Sequence, residues 1–215
     1  MPLLRRRFLV IVFGLLAGLG GQAPIVLAQA GSDSPPRVEL QGRALLAALR
    51  GGGYILYFRH TSTDFGQSDE RMSGYEDCAT QRNLTDTGRA EARVLGAALR
   101  DLDIPVGDVL ASPYCRTMET ARLMFGRATA TPAVRGGPAQ PESPARYAAL
   151  LELLSKPVAP GTNLAIASHG NPYRAVAGGT YLAEGEAAVI EPRGSGGFRV
   201  VARIRKDEWV ELAMR

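Results

Sequence analysis

Tyr54-Ile55-Leu56-Tyr57-Phe58-Arg59-His60-Thr61 is the stretch on which the fold turns. Five aromatic or aliphatic side chains follow Gly51-Gly52-Gly53 and stop at an arginine, a histidine and a hydroxyl. A short apolar run bounded by glycine predicts a buried strand. In α/β sheets the carboxyl ends of such strands face the ligand. Arg59 and His60 therefore stand where chemistry is expected.

Two later segments end alike. Asp108-Val109-Leu110-Ala111 runs into Ser112-Pro113-Tyr114-Cys115-Arg116-Thr117, and Asn163-Leu164-Ala165-Ile166-Ala167 runs into Ser168-His169-Gly170-Asn171. If the three strands are parallel neighbours, two arginines and two histidines meet in one pocket. The chain owns only two histidines, and each directly follows a predicted strand.

Between these strands the apolar spacing is helical. Leu40, Ala44, Leu45, Ala48 and Leu49 predict a helix over 39–50. Thr85 or Asp86 caps a second helix, with Ala90, Val94, Leu95, Ala98 and Leu99 on its apolar face. Residues 104–107 read as a turn, and a helix is expected from Cys115 to about Phe125. Residues 126–144, rich in glycine and proline, read as a loop with at most one short strand. Ala145 to Leu154 and the segment from Pro172 read as helices. From Ala187 the pattern turns to β: 187–190, 198–204 and Trp209-Val210-Leu212. Residues 61–83 form a polar loop long enough to be functional. The expected class is α/β, a three-layer sandwich with a mostly parallel central sheet, in one domain over 39–215 behind a flexible lead-in at 31–38.

The first thirty residues read as a cleaved export signal. Arg5-Arg6-Arg7 form the basic section and Phe8–Leu19 the apolar one. Val26-Leu27-Ala28 or Ala28-Gln29-Ala30 supplies the small-residue cleavage site. The apolar run is short for a membrane span, so the membrane is met only during export. Arg5-Arg6-Arg7-Phe8-Leu9 also resembles a twin-arginine signal, which leaves the general secretory and twin-arginine routes both open. The expected location is periplasmic or secreted.

The whole chain of 215 residues carries 25 basic and 21 acidic side chains, a net +4; without the three signal arginines the balance is 22 minus 21, or +1. No basic stripe remains, so no nucleic-acid partner is expected. The only cysteines, Cys78 and Cys115, are 37 residues apart. An even pair in an oxidising compartment reads as a disulfide, with two buried thiols as the alternative. Closing that loop contributes ~3–4 kcal/mol in the chain-entropy account. No histidine and cysteine spacing suits a metal, and no cofactor is called for.

The chemistry that needs two histidines and two arginines in one pocket is phosphoryl transfer through a phosphohistidine. A neutral imidazole is a competent nucleophile near neutral pH. Guanidinium groups match phosphoryl oxygens with paired hydrogen bonds and stabilise the charge of the transition state. A carboxylic acid must protonate the leaving oxygen. Arginine six residues after a thiolate, the mark of a cysteine phosphatase, is lacking: Ala121 stands six beyond Cys115.

Arg59-His60-Thr61, Leu84-Thr85-Asp86-Thr87-Gly88-Arg89-Ala90-Glu91-Ala92, Ser112-Pro113-Tyr114-Cys115-Arg116-Thr117-Met118-Glu119-Thr120-Ala121 and Ser168-His169-Gly170 resemble, in this order, segments of the histidine phosphatase superfamily. That group also holds the cofactor-dependent phosphoglycerate mutases. The resemblance covers about residues 53–180. It implies a phosphoglycerate mutase-like fold, with His60 as the phosphorylated nucleophile. Arg59 and Arg116 would bind phosphate, and His169 would be the second pocket histidine. Thr61 departs from the glycine or alanine common at its position. Gly170 excludes the branch in which aspartate follows the second histidine. The larger branch carries its acid some two dozen residues beyond the second arginine; Glu142, 26 beyond Arg116, fits, with Asp64, Glu184 and Glu186 as rivals.

The expected activity is that of a metal-independent, histidine acid phosphatase-type phosphomonoesterase acting on an extracytoplasmic ester. Sugar phosphates, nucleotides and phosphorylated lipopolysaccharide are the candidate substrates. A phosphomutase, or a phosphate-binding module without turnover, is the alternative.

Overall fold

The structure, a computed structural model, describes residues 40–135 and 144–213. The export signal, the lead-in and Glu142 lie outside the described residues. The strands are β1 (Ile55–Arg59), β2 (Val106–Ala111), β3 (Thr129–Ala130), β4 (Asn163–Ser168), β5 (Ala187–Pro192) and β6 (Phe198–Ile204). They form one sheet in the order β3-β2-β4-β1-β5-β6. The pairs β1–β4, β2–β4 and β2–β3 are parallel, and β1–β5 and β5–β6 are antiparallel. The helices are α1 (Gly42–Gly51), α2 (Asp86–Asp101), α3 (Cys115–Phe125), α4 (Ala148–Ser155), α5 (Gly170–Ala177) and α6 (Lys206–Ala213).

β1 shows why the sheet has helices on both faces. Side chains of a strand alternate between faces. Leu56 and Phe58 pack with Leu49 of α1, Leu95 and Leu99 of α2, Met124 of α3 and Trp209 of α6. Ile55 and Tyr57 pack on the opposite side with Leu150 and Leu154 of α4 and Tyr173 of α5. The four apolar residues of the strand are wholly buried, which explains a run with no polar alternation. Burying each such side chain stabilises the fold by about 1.5–3 kcal/mol.

The register brings three strand ends level. Arg59 is opposite Ser168 in the β1–β4 pair, and Ala111 is opposite Ala167 in the β2–β4 pair. The ladder runs one residue further on each side: the His60 N–H donates to the Ser168 carbonyl, and the Ser112 N–H to the Ala167 carbonyl, both at 3.0 Å. His60, Ser112 and His169 consequently leave the sheet at one edge.

Several boundaries differ from the sequence expectation. Trp209-Val210-Leu212 is not a strand but part of α6. Two acidic residues, Asp207 and Glu208, occupy the first turn, and the Glu208 carboxylate accepts from the Arg205 N–H. That pattern satisfies and charge-matches a helix start. Trp209 is nonetheless a packing anchor, fully buried with its ring 6.1 Å from that of Phe58. β2 begins at Val106, inside the expected turn, with its register broken between Val106 and Val109. α5 begins at Gly170, two residues before Pro172; a proline in the first turn forfeits no intrahelical bond. Thr85, not Asp86, caps α2, accepting from the Gly88 N–H. The helix expected from Ala145 opens as a 3-10 turn, Pro144–Tyr147.

Candidate active site

The level strand ends bound a cavity of about 460 Å³. Arg59, His60, Arg116 and His169 all line it. The imidazole centroids of His60 and His169 are 5.6 Å apart, although 109 positions (169 minus 60) separate them in sequence.

Polar neighbours fix both rings, one for His60 and two for His169. His60 Nδ1 lies 3.0 Å from the Thr61 carbonyl, an acceptor only, so Nδ1 carries the proton and Nε2 keeps its lone pair. His169 Nε2 lies 2.8 Å from Ser112 Oγ, and its Nδ1 lies 3.5 Å from an Arg116 terminal nitrogen. The Tyr57 hydroxyl points at Ser168 Oγ (2.8 Å) and at the His169 carbonyl (2.9 Å) from beneath, tying the His169 backbone to β1. Burial is the largest force holding both imidazoles well below their ordinary pKa; the Arg116, Arg59 and Arg82 charges push the same way. Both are neutral at neutral pH.

The guanidiniums are held from behind. Arg59 donates to the Leu182 carbonyl at 2.8 Å and lies under the ring of Tyr181, 5.5 Å from its centroid. Arg116 enters from the first turn of α3. It donates to Asp69 Oδ1 (3.0 Å) and to the Arg82 carbonyl (3.1 Å), with its guanidinium 4.5 Å from the Tyr114 ring centre. Burial lowers the pKa of both arginines, countered by Glu184 at Arg59 and by Asp69 at Arg116. Guanidiniums stay charged under such shifts.

Three residues of the site carry no signal in the sequence. Arg82 lines the cavity as a third cation, 4.9 Å from the centre of the exposed Phe65 ring. The Nε atoms of Arg82 and Arg116 are buried and find no partner among the described residues. Asp69 and Glu70 add carboxylates to the wall. All three residues belong to the 61–83 loop, which has no periodicity to read. The loop is anchored by the Cys78–Cys115 disulfide, Cα–Cα 5.7 Å, beside Arg116. Next to the bridge the Cys115 N–H donates to Gln81 Oε1 at 3.0 Å. The bridge also removes any thiolate chemistry at Cys115.

The proposed acids divide clearly. Asp64 turns back onto the Gly66 N–H (2.8 Å), and Glu186 pairs with Arg203 (2.7 Å); neither lines the cavity. Glu184 lies 3.8 Å from His60 Nδ1, beside the ring rather than in the cavity. Glu142 falls outside the described residues. Thr61 is fully buried against Thr120, with their hydroxyls 3.4 Å apart, so its extra bulk points into the protein. Gly170 lies beneath Tyr181: a Cβ there would fall 2.0 Å from the ring, so a side chain at 170 requires the half-exposed Tyr181 ring to shift.

Chemically the site offers a neutral imidazole nitrogen, a second imidazole and three guanidiniums around one cavity. The amino ends of α3 and α5 start at its wall, where helix dipoles favour an anion.

Comparison with known proteins bears on the family resemblance and the fold. The sequence model described as histidine phosphatase superfamily (branch 1) matches residues 55–137. No curated protein matches the sequence. Among solved structures, the protein histidine phosphatase SixA complexed with tungstate shares the fold at TM-score 0.51 and 17% identity, over 72% of this chain and 97% of that one. A putative phosphohistidine phosphatase SixA from Agrobacterium tumefaciens gives 0.50 and 15%, over 71% and 97%. A mutant phosphoserine phosphatase from Entamoeba histolytica, in complex with phosphoserine, gives 0.51 and 11%, over 70% and 95%. Over residues 55–137 the chain is thus similar to the histidine phosphatase superfamily, and it shares the α/β fold of these solved phosphatases.

Proposed function

We propose that this chain is a metal-independent phosphomonoesterase that works through a phosphohistidine at His60. The observation that carries the proposal is the 5.6 Å approach of two neutral imidazoles inside a ring of arginines. Nε2 of His60 attacks phosphorus, forming an N–P bond as the ester P–O bond breaks. Arg59, Arg82 and Arg116 hold the phosphoryl oxygens, and His169 packs against the same space beside Arg116. An acid protonates the leaving oxygen, and water then releases inorganic phosphate from His60. The acid is assigned to Glu142, with Glu70, an exposed carboxylate on the cavity wall, as the alternative.

The export-type first thirty residues and the disulfide support a location in the periplasm or outside the cell. The substrate is then an extracytoplasmic phosphate ester of the sugar phosphate, nucleotide or lipopolysaccharide type. The phosphoserine and tungstate bound by proteins of similar fold are in keeping with a small phosphorylated ligand.

Incubation of the purified protein with p-nitrophenyl phosphate and a chelator is the test. Sustained release of p-nitrophenolate is expected. Phosphate binding without release, or transfer to a second acceptor in place of water, would overturn the proposal. Glu142→Gln and Glu70→Gln then identify the acid, since its loss slows alkyl esters far more than p-nitrophenyl phosphate, whose leaving group needs no proton.

A further inference from the structure

We infer that Glu184 is the positioning residue of the nucleophile, a fixed negative charge set beside the Nδ1 edge of His60 and against the outer edge of Arg59. The inference rests on the phosphohistidine assignment above.

Glu184 Oε1 lies 3.8 Å from His60 Nδ1 and 3.5 Å from an Arg59 terminal nitrogen. The same oxygen accepts from the Thr63 hydroxyl at 2.6 Å, and Oε2 accepts from the Thr63 N–H at 3.3 Å. Its backbone is equally fixed. The next residue, Gly185, adopts φ +79°, and its N–H donates to the His60 carbonyl (3.0 Å) and the Arg59 carbonyl (3.3 Å). The Arg59 N–H in turn donates to the Glu186 carbonyl at 3.0 Å. Residues 184–186 are thus zipped onto the end of β1, and the carboxylate has little freedom to swing away. Its side chain is only 16% exposed, so water screens it weakly.

The charges facing His60 show what this carboxylate adds. Arg59 adjoins it on its own strand, Arg116 faces it from α3, Arg82 from the 61–83 loop and neutral His169 from beyond β4. Asp69 is engaged by Arg116. Glu184 is the one carboxylate within ion-pairing distance of the His60 ring among the described residues. When Nε2 bonds to phosphorus, Nδ1 keeps its proton and the imidazole acquires positive charge. Glu184 opposes that charge where three arginines disfavour it, and so stabilises the phosphoenzyme and the transition state leading to it. It does not line the cavity, so it touches neither substrate nor leaving group.

Glu184→Gln tests this, because the amide keeps an acceptor for Thr63 and loses the charge. With p-nitrophenyl phosphate, kcat is expected to fall by about tenfold or more with KM little changed, the scale of removing one preorganised charge from a buried site. Glu184→Asp should recover part of the loss. A readout independent of turnover is the titration of the imidazole nitrogens by nitrogen-15 NMR. The chain has two histidines, and His60→Gln assigns them. In Glu184→Gln the His60 midpoint moves to lower pH, because the cation has lost its counter-charge. An unmoved midpoint, or a loss confined to KM, would overturn the inference. If the wild type does not turn over but the midpoint moves as stated, the phosphatase assignment fails while the electrostatic coupling of Glu184 to His60 stands.

Discussion

Asp69 Oδ1 accepts from the Arg116 guanidinium at 3.0 Å and from the Arg82 backbone N–H at 2.9 Å. One carboxylate oxygen therefore ties two cavity arginines together, and its charge lies on the wall of the cavity proposed to hold phosphate. Asp69→Asn keeps an acceptor for both donors and removes the charge. Competitive inhibition by inorganic phosphate should tighten by about threefold or more, because a like charge no longer faces the dianion. Inhibition assays with p-nitrophenyl phosphate check this; weaker phosphate binding would mean that Asp69 serves mainly to hold the loop.

The Cys78–Cys115 bridge joins the 61–83 loop to the first residue of α3, one position before Arg116. Cys78→Ser with Cys115→Ser should lower unfolding free energy by ~3–4 kcal/mol, the chain-entropy scale for a loop of this length, as read from denaturant titration. Under native conditions kcat/KM should fall as well, since Asp69 and Arg82 depend on the clamped loop. Unchanged kinetics in a folded, reduced sample would separate the bridge from the site.

The two histidines set a pH signature. Each is held well below its ordinary value of 6.5. His60 therefore stays neutral into mildly acidic solution, and if it is the nucleophile, as proposed, kcat/KM should fall off only below pH 6.5. Stability follows the same groups. Below 6.5 the unfolded chain takes up protons that the folded chain refuses, so unfolding free energy should decline as pH drops through 6.5. His169→Gln should flatten part of that decline in thermal melts run across pH.

The sheet and the four converging residues are legible in the sequence because buried parallel strands announce themselves as unbroken apolar runs that stop at polar residues. Phe58-Arg59-His60 and Ala167-Ser168-His169 are such stops, and register then does the gathering. Arg82, Asp69 and Glu184 cannot be placed in the same way because loops position them. Arg82 reaches the cavity through a loop held by a disulfide and by Gln81, and Glu184 reaches His60 through a glycine turn at positive φ. Neither route leaves a period in the sequence. The segment containing Trp209 misleads because Trp209, Val210 and Leu212 suit a strand over so short a span. The acidic first turn that makes it a helix lies just before them.

The central claim is that phosphate passes through His60. Rapid quench of the protein with radiolabelled phosphate ester, followed by peptide mapping, is the direct measurement. An acid-labile, base-stable phosphate on the peptide carrying His60, formed and lost at the rate of turnover, is the result expected. With the nucleophile removed in His60→Ala, turnover should fall by about a thousandfold or more. Full activity in that variant, or a label found on any other residue, would contradict it.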